Sequence, residues 1–162
     1  MPVRSGPCLT LVLAVLFLSS STVFAQSQPN FTGEWRMDAS KSDFGKFPVP
    51  TALTRNIVQK NPDLSIDTTQ LTRSGANTAH VNYRTDGVET TNQLSTGEGT
   101  SHAFWDGSTL VIRTTLKNRA GVDVLMEERW DLSADGQTLT TTSHIETSKG
   151  NTDLKLVCER VK

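Results

Sequence analysis

From residue 52 onward the sequence consists of short segments in which apolar and polar side chains alternate, and this pattern constrains the fold most. In residues 122–132 the apolar side chains fall mostly at even positions and the charged ones mostly at odd positions. A period of two is typical of strands with one buried and one solvated face. The segments are also rich in threonine, which favours strands, and no amphipathic helix of about ten residues or more is predicted.

Turn residues separate these segments at short intervals. Asp-Gly pairs at 86–87, 106–107 and 135–136 are strong signals of tight hairpin turns. The glycine-containing stretch 97–99 predicts a further turn. The predicted strands are residues 33–38, 52–60, 64–72, 77–85, 88–95, 100–105, 108–117, 122–132, 137–147 and 152–161.

Such short connections favour sequential antiparallel pairing. A meander of about eight to ten strands leaves two exposed edges unless it closes on itself. The sequence therefore predicts an all-β protein, an antiparallel up-and-down meander β-barrel of about eight to ten strands. An open clam or a β-sandwich is the alternative. Residues 41–50, which contain a glycine and two prolines, are expected to form a loop that crosses one barrel end.

The first 25 residues have the composition of a signal peptide. Arg4 precedes an apolar run at 9–18, and small or polar residues follow up to Ala25. The run is too short to span a bilayer, which takes about 20 residues. We expect residues 1–25 to be removed and residues 26–162 to form one domain that is exported to the periplasm or secreted. Cys158 is then the one remaining cysteine and is expected to be a buried strand residue.

The charge balance limits the classes of partner. The chain carries 16 Lys and Arg against 17 Asp and Glu, a formal net charge of −1. A nucleic-acid-binding protein would show a basic footprint, and this sequence has none. No segment after residue 25 is apolar over a membrane-spanning length. The expected partner is therefore a small molecule, with neither nucleic acid nor a membrane-spanning segment involved.

The motif Gly33-x-Trp35, placed on the first strand of a predicted meander barrel, resembles the opening of the lipocalins and the related fatty-acid-binding proteins. The stretches DASKSDFG at 38–45, YRTDG at 83–87 and WDGSTL at 105–110 are similar to those of a group of secreted bacterial lipocalin-like proteins. This resemblance covers residues 26–162 and implies a calycin-type barrel. It does not specify an activity.

The resemblance also implies a structural floor for the barrel. In lipocalins the tryptophan closes one barrel end under a basic side chain from near the end of the chain, so Arg160 is expected to cover Trp35 as a cation–π partner. Gly33 is expected to leave room for the chain to turn. Fatty-acid binding itself is not implied, because residues 40–51 do not resemble the helical lid of that family. The arginine and tyrosine residues that bind a fatty-acid carboxylate also have no assigned counterpart here.

Signals of catalysis are weak in this sequence. His80, His102 and His144 lack the close spacing of a metal pair, and surface positions are expected for them. The motif G-x-S-x-G is absent. No metal, cofactor or catalytic residue is predicted.

The candidate ligand site lies on the faces predicted to point inward. Tyr83, Trp105, Trp130 and Thr141 are the predicted ligand-binding residues, because they combine apolar bodies with polar tips. Hydroxyl and amide side chains on the same faces predict a partly hydrated cavity. Glu128 also falls on an inward face. It is expected to pair with an inward Arg113 or Arg160 or to touch a ligand, unless a bulge turns it outward.

Three functions remain open on the sequence alone. The favoured one is an exported barrel that binds a small apolar or amphipathic molecule in its lumen. The alternatives are a structural or protein-interaction domain whose barrel is filled by its own side chains, and an enzyme with its site at the open end. The fold does not decide among them.

Overall fold

The computed structural model describes residues 28–162, and these contain ten β-strands. The strands are β1 (Gly33–Met37), β2 (Ala52–Lys60), β3 (Asp63–Thr72), β4 (Gly75–Arg84), β5 (Thr90–Leu94), β6 (Gly97–Asp106), β7 (Thr109–Lys117), β8 (Asp123–Leu132), β9 (Thr138–Thr147) and β10 (Gly150–Arg160). The described part of the chain contains no helix. The predicted signal peptide, residues 1–25, lies outside the described residues.

The strands form one sheet that wraps into a nearly closed barrel. Its order is β4-β3-β2-β1-β10-β9-β8-β7-β6-β5. Every ladder is antiparallel, and the pairing of β1 with β10 joins the first and last strands. The predicted antiparallel up-and-down meander barrel is confirmed. The structure adopts neither of the two alternatives, the open clam and the β-sandwich.

The ladder is interrupted between β4 and β5, and one side chain bridges the gap. The Asn82 amide N–H donates to Asn92 Oδ1 at 2.8 Å, and Asn92 Nδ2 donates to the Asn82 carbonyl at 2.9 Å. A side-chain amide thus supplies the pair of hydrogen bonds that a neighbouring strand would make. Asn92 is 7% exposed, so the two bonds lie mostly out of water.

The predicted strand ends lie within three residues of the observed ones. The predicted turn at 97–99 is wrong, because Gly97 pairs with Leu94 and both Gly97 and Gly99 belong to β6. The turn lies at residues 95–96 instead. Gly99 faces inward, where an added Cβ would lie 2.9 Å from Leu94 Cδ1.

The loop predicted to cross one barrel end lies partly along the wall instead. Asp43 forms an antiparallel bridge with Lys155, with backbone bonds of 2.7 and 2.8 Å in the two directions. Ser42 Oγ accepts a hydrogen bond from the Val157 amide at 3.0 Å. The reason is that β1 ends at Met37, opposite Cys158, and leaves the earlier part of β10 without a partner strand. Backbone groups on such an edge need other partners.

The two barrel ends differ, and we name them by their connections. The closed end carries the connections at 61–62, 85–89, 107–108 and 133–137, together with the segment that precedes β1. The upper end carries those at 73–74, 95–96, 118–122 and 148–149. Cross-strand partners point to the same side of the sheet, so the ladders fix which residues face the lumen. The largest buried side chains, among them Phe31, Trp35 and Trp130, belong to the closed end.

Candidate functional site

The floor of the barrel consists of Trp35 and Arg160. The two residues are direct partners between β1 and β10, and Arg160 Cζ lies 4.2 Å from the centroid of the fully buried indole. Arg160 also donates to the Thr32 carbonyl at 2.6 Å and to the Gly136 carbonyl at 2.8 Å. Gly33 lies beside this guanidinium, and an added Cβ there would collide with Arg160 Nη1. The expected contact between Trp35 and Arg160 is present, and the guanidinium is held by carbonyl oxygens rather than by a carboxylate.

Phe31 completes an aromatic plug at the closed end, and sequence reasoning missed it. Its ring stacks on Trp105 and meets Trp130 edge-on, each at a centroid distance of 5.8 Å. Its amide donates to Gln59 Oε1 at 2.9 Å, and its carbonyl accepts from Trp35 Nε1 at 2.8 Å. A lone phenylalanine before the first strand belongs to no alternating segment, so no pattern marks it. The plug, Phe31 with Trp35, Trp105 and Trp130, fills the lower lumen.

Above the plug, Arg55 points into the lumen. It lies on β2 between the buried residues Leu53 and Ile57. Its Cζ is 5.0 Å from the centroid of Trp130, and its Nη1 donates to Thr141 Oγ1 at 3.3 Å. Its Nε is buried without a hydrogen-bond partner. A cation on the apolar face of a strand is the signal that could have identified Arg55 from the sequence.

Glu128 also faces the lumen, and no bulge turns it outward. It pairs in register with Ile112 on β7 and Ser143 on β9. The two arginines that the sequence offered as partners are engaged elsewhere. Arg113 points outward and binds Glu127 at 2.8 Å, and Arg160 belongs to the floor. Pairing of Glu128 with either of them is therefore wrong, and the cation that acts on it is Arg55.

The carboxyl group of Glu128 is held in an unfavourable environment for a charge. Burial raises its pKa above the usual range, and the charge of Arg55 and the hydroxyl of Ser143 only partly oppose that shift. Among residues 28–162 no salt bridge joins this carboxylate to a cation, and the Ser143 hydroxyl is its hydrogen-bonding neighbour. The residue as a whole is half-buried.

Tyr83 and Cys158 lie within electrostatic reach of the same layer. Burial raises the pKa of the Tyr83 phenol, the charge of Glu128 adds to the shift, and Arg55 opposes it. Burial likewise raises the pKa of the Cys158 thiol. Both groups are therefore neutral at ordinary pH. The Tyr83 hydroxyl makes no hydrogen bond to another described residue, which leaves it free for one more partner.

The wall above this layer is apolar and accessible. Inward residues near the closed end, such as Leu64, Leu110 and Leu139, are 1% exposed or less. On β8, β9 and β10 the inward apolar residues toward the upper end are only half-buried; they are Val124, Met126, Ile145 and Leu154. The lumen is therefore packed at the closed end, and its inward side chains toward the upper end keep part of their surface accessible.

Most inward hydroxyl and amide groups have protein partners. Ser101 and Thr114, both fully buried, lie 2.8 Å apart through their hydroxyls. Thr85 donates to the Pro62 carbonyl at 3.2 Å, and Asn92 bridges the strand gap. These groups do not require water, so they do not support the hydrated cavity that the sequence predicted. The polar character of the lumen comes from Arg55 and Glu128 instead.

The four predicted ligand-binding residues all face inward. Trp130 and Thr141 are each 2% exposed and Tyr83 is 5% exposed, whereas Trp105 is half-buried. They border the plug and the charged layer rather than the accessible upper wall. Their contact with a ligand stays a prediction.

The three histidines lie on the outer surface. His80 Nδ1 lies 2.6 Å from Asp67 Oδ1, and His102 Nδ1 lies 3.1 Å from the Gly87 carbonyl. His144 pairs with Asp153, which raises the pKa of its imidazole. Within residues 28–162 no group of three His, Cys, Asp or Glu side chains could hold a metal ion. The same residues include no helix of the length and apolarity that crossing a membrane demands.

Solved structures with a similar fold are calycin barrels. Zebrafish ileal bile acid-binding protein, in complex with cholic acid, aligns at 18% identity with a TM-score of 0.57, over 81% of this chain and 98% of that one. Two secretory abundant heat soluble proteins from Ramazzottius varieornatus align at 11% and 9% identity with TM-scores of 0.61 and 0.58. Both alignments cover 85% of this chain and 99% of the other.

These identities are low, and the likeness concerns the fold. No family model matches the sequence, and no curated protein matches it. The chain has a calycin-type β-barrel, the class of fold that lipocalins and fatty-acid-binding proteins share, as the motif around Gly33 and Trp35 implied.

Proposed function

We propose that this protein is an exported barrel that binds a small apolar or amphipathic molecule in the upper half of its lumen. Arg55 and Glu128 carry the proposal. Each is an ionisable side chain inside the barrel, and among residues 28–162 no salt bridge joins either of them to an opposite charge. Burying a charge without a partner lowers stability, and such groups in a cleft mark candidate functional sites.

The arrangement of the lumen defines how a ligand would lie. The plug blocks the closed end, so the ligand enters from the upper end. Its apolar part packs against inward residues such as Met126, Ile145 and Leu154. Its polar end reaches the layer of Arg55 and Glu128. A site with an apolar wall and few polar groups is typical of small-molecule binding.

Two further observations support the proposal. The zebrafish protein with a similar fold was crystallised with cholic acid, a small amphipathic molecule. The apolar run at residues 9–18, followed by a small-residue stretch up to Ala25, supports export.

The proposal is tested with a neutral apolar fluorophore, 1-aminoanthracene, whose emission rises in an apolar environment. We expect the wild-type protein to bind it. Met126→Trp places an indole in the upper lumen and should abolish binding. Leu125→Trp is the matched control, because Leu125 is the adjacent residue on β8 and is 43% exposed on the outer surface. Circular dichroism checks that both variants keep the β-sheet.

Binding by the wild type and Leu125→Trp, with loss in a folded Met126→Trp, supports a lumen site. Equal binding by all three proteins would place the fluorophore on the outer surface and contradict the proposal. Absence of binding in the wild type would favour a barrel filled by its own side chains.

An enzyme is the second candidate, and the raised pKa of Glu128 favours it. A carboxyl group whose pKa is raised above its usual range is suited to act as a general acid. To distinguish the two functions, the protein is incubated with a metabolite extract, and the masses of the small molecules are measured by mass spectrometry. A binding protein leaves these molecules unchanged. An enzyme converts one of them to a product, and the Glu128→Gln variant no longer does so.

A further inference from the structure

We propose that the upper end of the barrel docks on an anionic lipid surface through a patch that we name the basic rim. The basic rim consists of Lys46, Phe47, Val49, Leu71 and Arg73. This inference goes beyond the proposed function and does not depend on it, because the five residues lie on the exposed surface. Docking in this way turns the mouth of the lumen toward the lipid.

The apolar part of the basic rim is exposed although buried residues flank it in the chain. Phe47 is 44% exposed, Val49 62% and Leu71 46%. On either side of the first two, Phe44 packs against the core and Pro50 is buried. The segment thus buries its ends and leaves two large apolar side chains in water. Exposed apolar groups with polar neighbours mark interaction sites.

Backbone contacts hold this segment at the upper end of the barrel. Asp43 forms its bridge with Lys155 on β10. The Thr51 amide donates to the Leu71 carbonyl at 2.8 Å, near the upper end of β3. Residues 44–50 therefore cross from β10 to the upper end of β3, so their exposed side chains lie at the same barrel end as Leu71.

The charged residues of the upper connections are all cations. They are Arg73, Arg119 and Lys149, and the crossing segment 44–50 adds Lys46. All four are exposed, and none of them forms a salt bridge with another described residue. The connections at the closed end carry acids instead: Asp86, Glu89 and Asp135. The formal net charge of −1 therefore conceals a difference in charge between the two ends.

The acidic residues at the upper strand ends lie away from the basic rim. They are Glu98 on β6, Asp123 on β8 and Glu146 on β9. Asp123 is paired with Lys117 at 2.5 Å. The basic rim belongs to β3, the turn after it and the crossing segment, where no acid stands among residues 44–53 or 68–78.

Apolar side chains between unpaired cations fit an anionic bilayer surface. Each Lys or Arg close to such a surface favours binding, and apolar side chains next to them gain by entering the boundary between headgroups and acyl chains. A second copy of the chain fits less well. In a two-fold contact the same patch meets itself, so Lys46 and Arg73 of the two copies would face each other.

The test measures co-sedimentation with two kinds of vesicle, one of pure phosphatidylcholine and one of phosphatidylcholine mixed with phosphatidylglycerol. The variants are Phe47→Ser and the double variant Lys46→Gln with Arg73→Gln. All proteins are prepared in the same way, so any contribution of residues 1–25 is common to them. Circular dichroism checks that each variant keeps the β-sheet.

Each variant has a matched control at the closed end. Val88→Ser is the control for Phe47→Ser, because Val88 is 50% exposed in the connection at 85–89. The double variant Lys60→Gln with Lys162→Gln is the control for the cations. It removes two exposed positive charges and therefore changes the net charge by the same amount.

We expect the wild type to bind the vesicles that contain phosphatidylglycerol, to bind pure phosphatidylcholine much more weakly, and to lose binding as salt is added. Loss of Lys46 and Arg73 should weaken binding by about fivefold for each cation, and Phe47→Ser should weaken it about tenfold. Both controls should bind as the wild type does. Phe47→Trp reports the orientation, because its emission should shift to shorter wavelength on the anionic vesicles and that of Val88→Trp should not.

Three results would overturn the proposal. The wild type could fail to bind the anionic vesicles, or bind both kinds equally. The closed-end controls could weaken binding as much as the variants of the basic rim, which would mean that the net charge decides and not the patch. Finally, the wild type could ignore the vesicles and self-associate in a manner that Phe47→Ser abolishes, in which case the basic rim binds a second copy of the chain.

Discussion

Glu128 lies on the apolar face of β8, between the inward residues Met126 and Trp130. At this position an ionised carboxylate loses hydration and gains no ion pair among the described residues. Desolvation outweighs the attraction of Arg55, so the pKa of Glu128 is raised. A raised pKa means that ionisation of this residue opposes folding, because the proton leaves the unfolded chain more readily than the folded one.

The stability of a Glu128→Gln variant should therefore exceed that of the wild type at neutral pH. Between the unfolded and the folded pKa of Glu128 the folded state holds a proton that the unfolded state releases, so wild-type stability falls as pH rises through that window. Burial raises the pKa values of Tyr83 and Cys158, so these two neighbouring groups stay neutral in that window.

Melting temperatures across the pH range measure this effect. The two proteins should melt alike at about pH 4, where Glu128 of the wild type is protonated in the folded and in the unfolded chain. The variant should melt at a higher temperature than the wild type as the pH rises. His144 titrates in both proteins and cancels in the difference. A variant that melts lower than the wild type at pH 7, by more than the control Glu127→Gln, would show that ionised Glu128 stabilises the fold.

Gly33 supports the floor through its backbone and its lack of a side chain. Its φ is +144°, and an added Cβ would meet Arg160. Gly33→Ala should lower the free energy of unfolding by about 1–3 kcal/mol, measured by urea titration. Gly75→Ala is the control, because φ is +125° and nothing lies near its Cβ position. An equal loss in both variants would mean that only backbone strain matters and that the contact with Arg160 adds nothing.

At the scale of the strands, the sequence predicted the sheet well and the charged layer only in part. The alternation of apolar and polar side chains predicted which face of a strand points inward, and it placed Glu128 correctly on the inward face of β8. Its partner was not found, because Arg55 on β2 and Glu128 on β8 are separated by three strands in the sheet. Arg55 reaches the side of the barrel that holds Glu128 across the lumen, where it contacts Trp130 and Thr141, and not along a ladder. Hairpin periodicity reports neighbours within the sheet and carries no information on which residues meet across it.

Phe31 and Asn92 illustrate a second limit. Phe31 lies outside the alternating segments, and its place in the plug depends on a bond to Gln59, 28 residues away. Asn92 sits on an inward face, where the sequence predicted contact with water. It instead binds the backbone of Asn82 across the gap between β4 and β5. Such contacts follow from barrel closure, which local patterns do not encode.

The two bonds of Asn92 should stabilise the β4–β5 seam. Asn92→Ala leaves the Asn82 amide and carbonyl without these partners and should lower the free energy of unfolding by about 1–3 kcal/mol. Hydrogen exchange at the Asn82 amide should accelerate. Gln93→Ala, one residue along and exposed, should change neither quantity. An unchanged exchange rate at Asn82 in Asn92→Ala would contradict the bridging role.

At the scale of the whole molecule, export and ligand binding are two separate proposals. If residues 1–25 form a signal peptide, the intact mass of the protein recovered from outside the cytoplasm should correspond to a chain that starts at Gln26. A mass that retains residues 1–25 would contradict cleavage at this site. The barrel would keep its fold in either case, since the described strands begin at Gly33.

The central claim is that the upper lumen holds a small molecule, and native mass spectrometry tests it most directly. The protein is purified from its own host under gentle conditions. Its mass is measured by native mass spectrometry and again after denaturation. We predict an additional mass of small-molecule size that denaturation releases. We also predict that a folded Met126→Trp variant lacks it and that Leu125→Trp retains it. A protein that shows only its own mass, and takes up nothing from a lipid and metabolite extract, would contradict the claim.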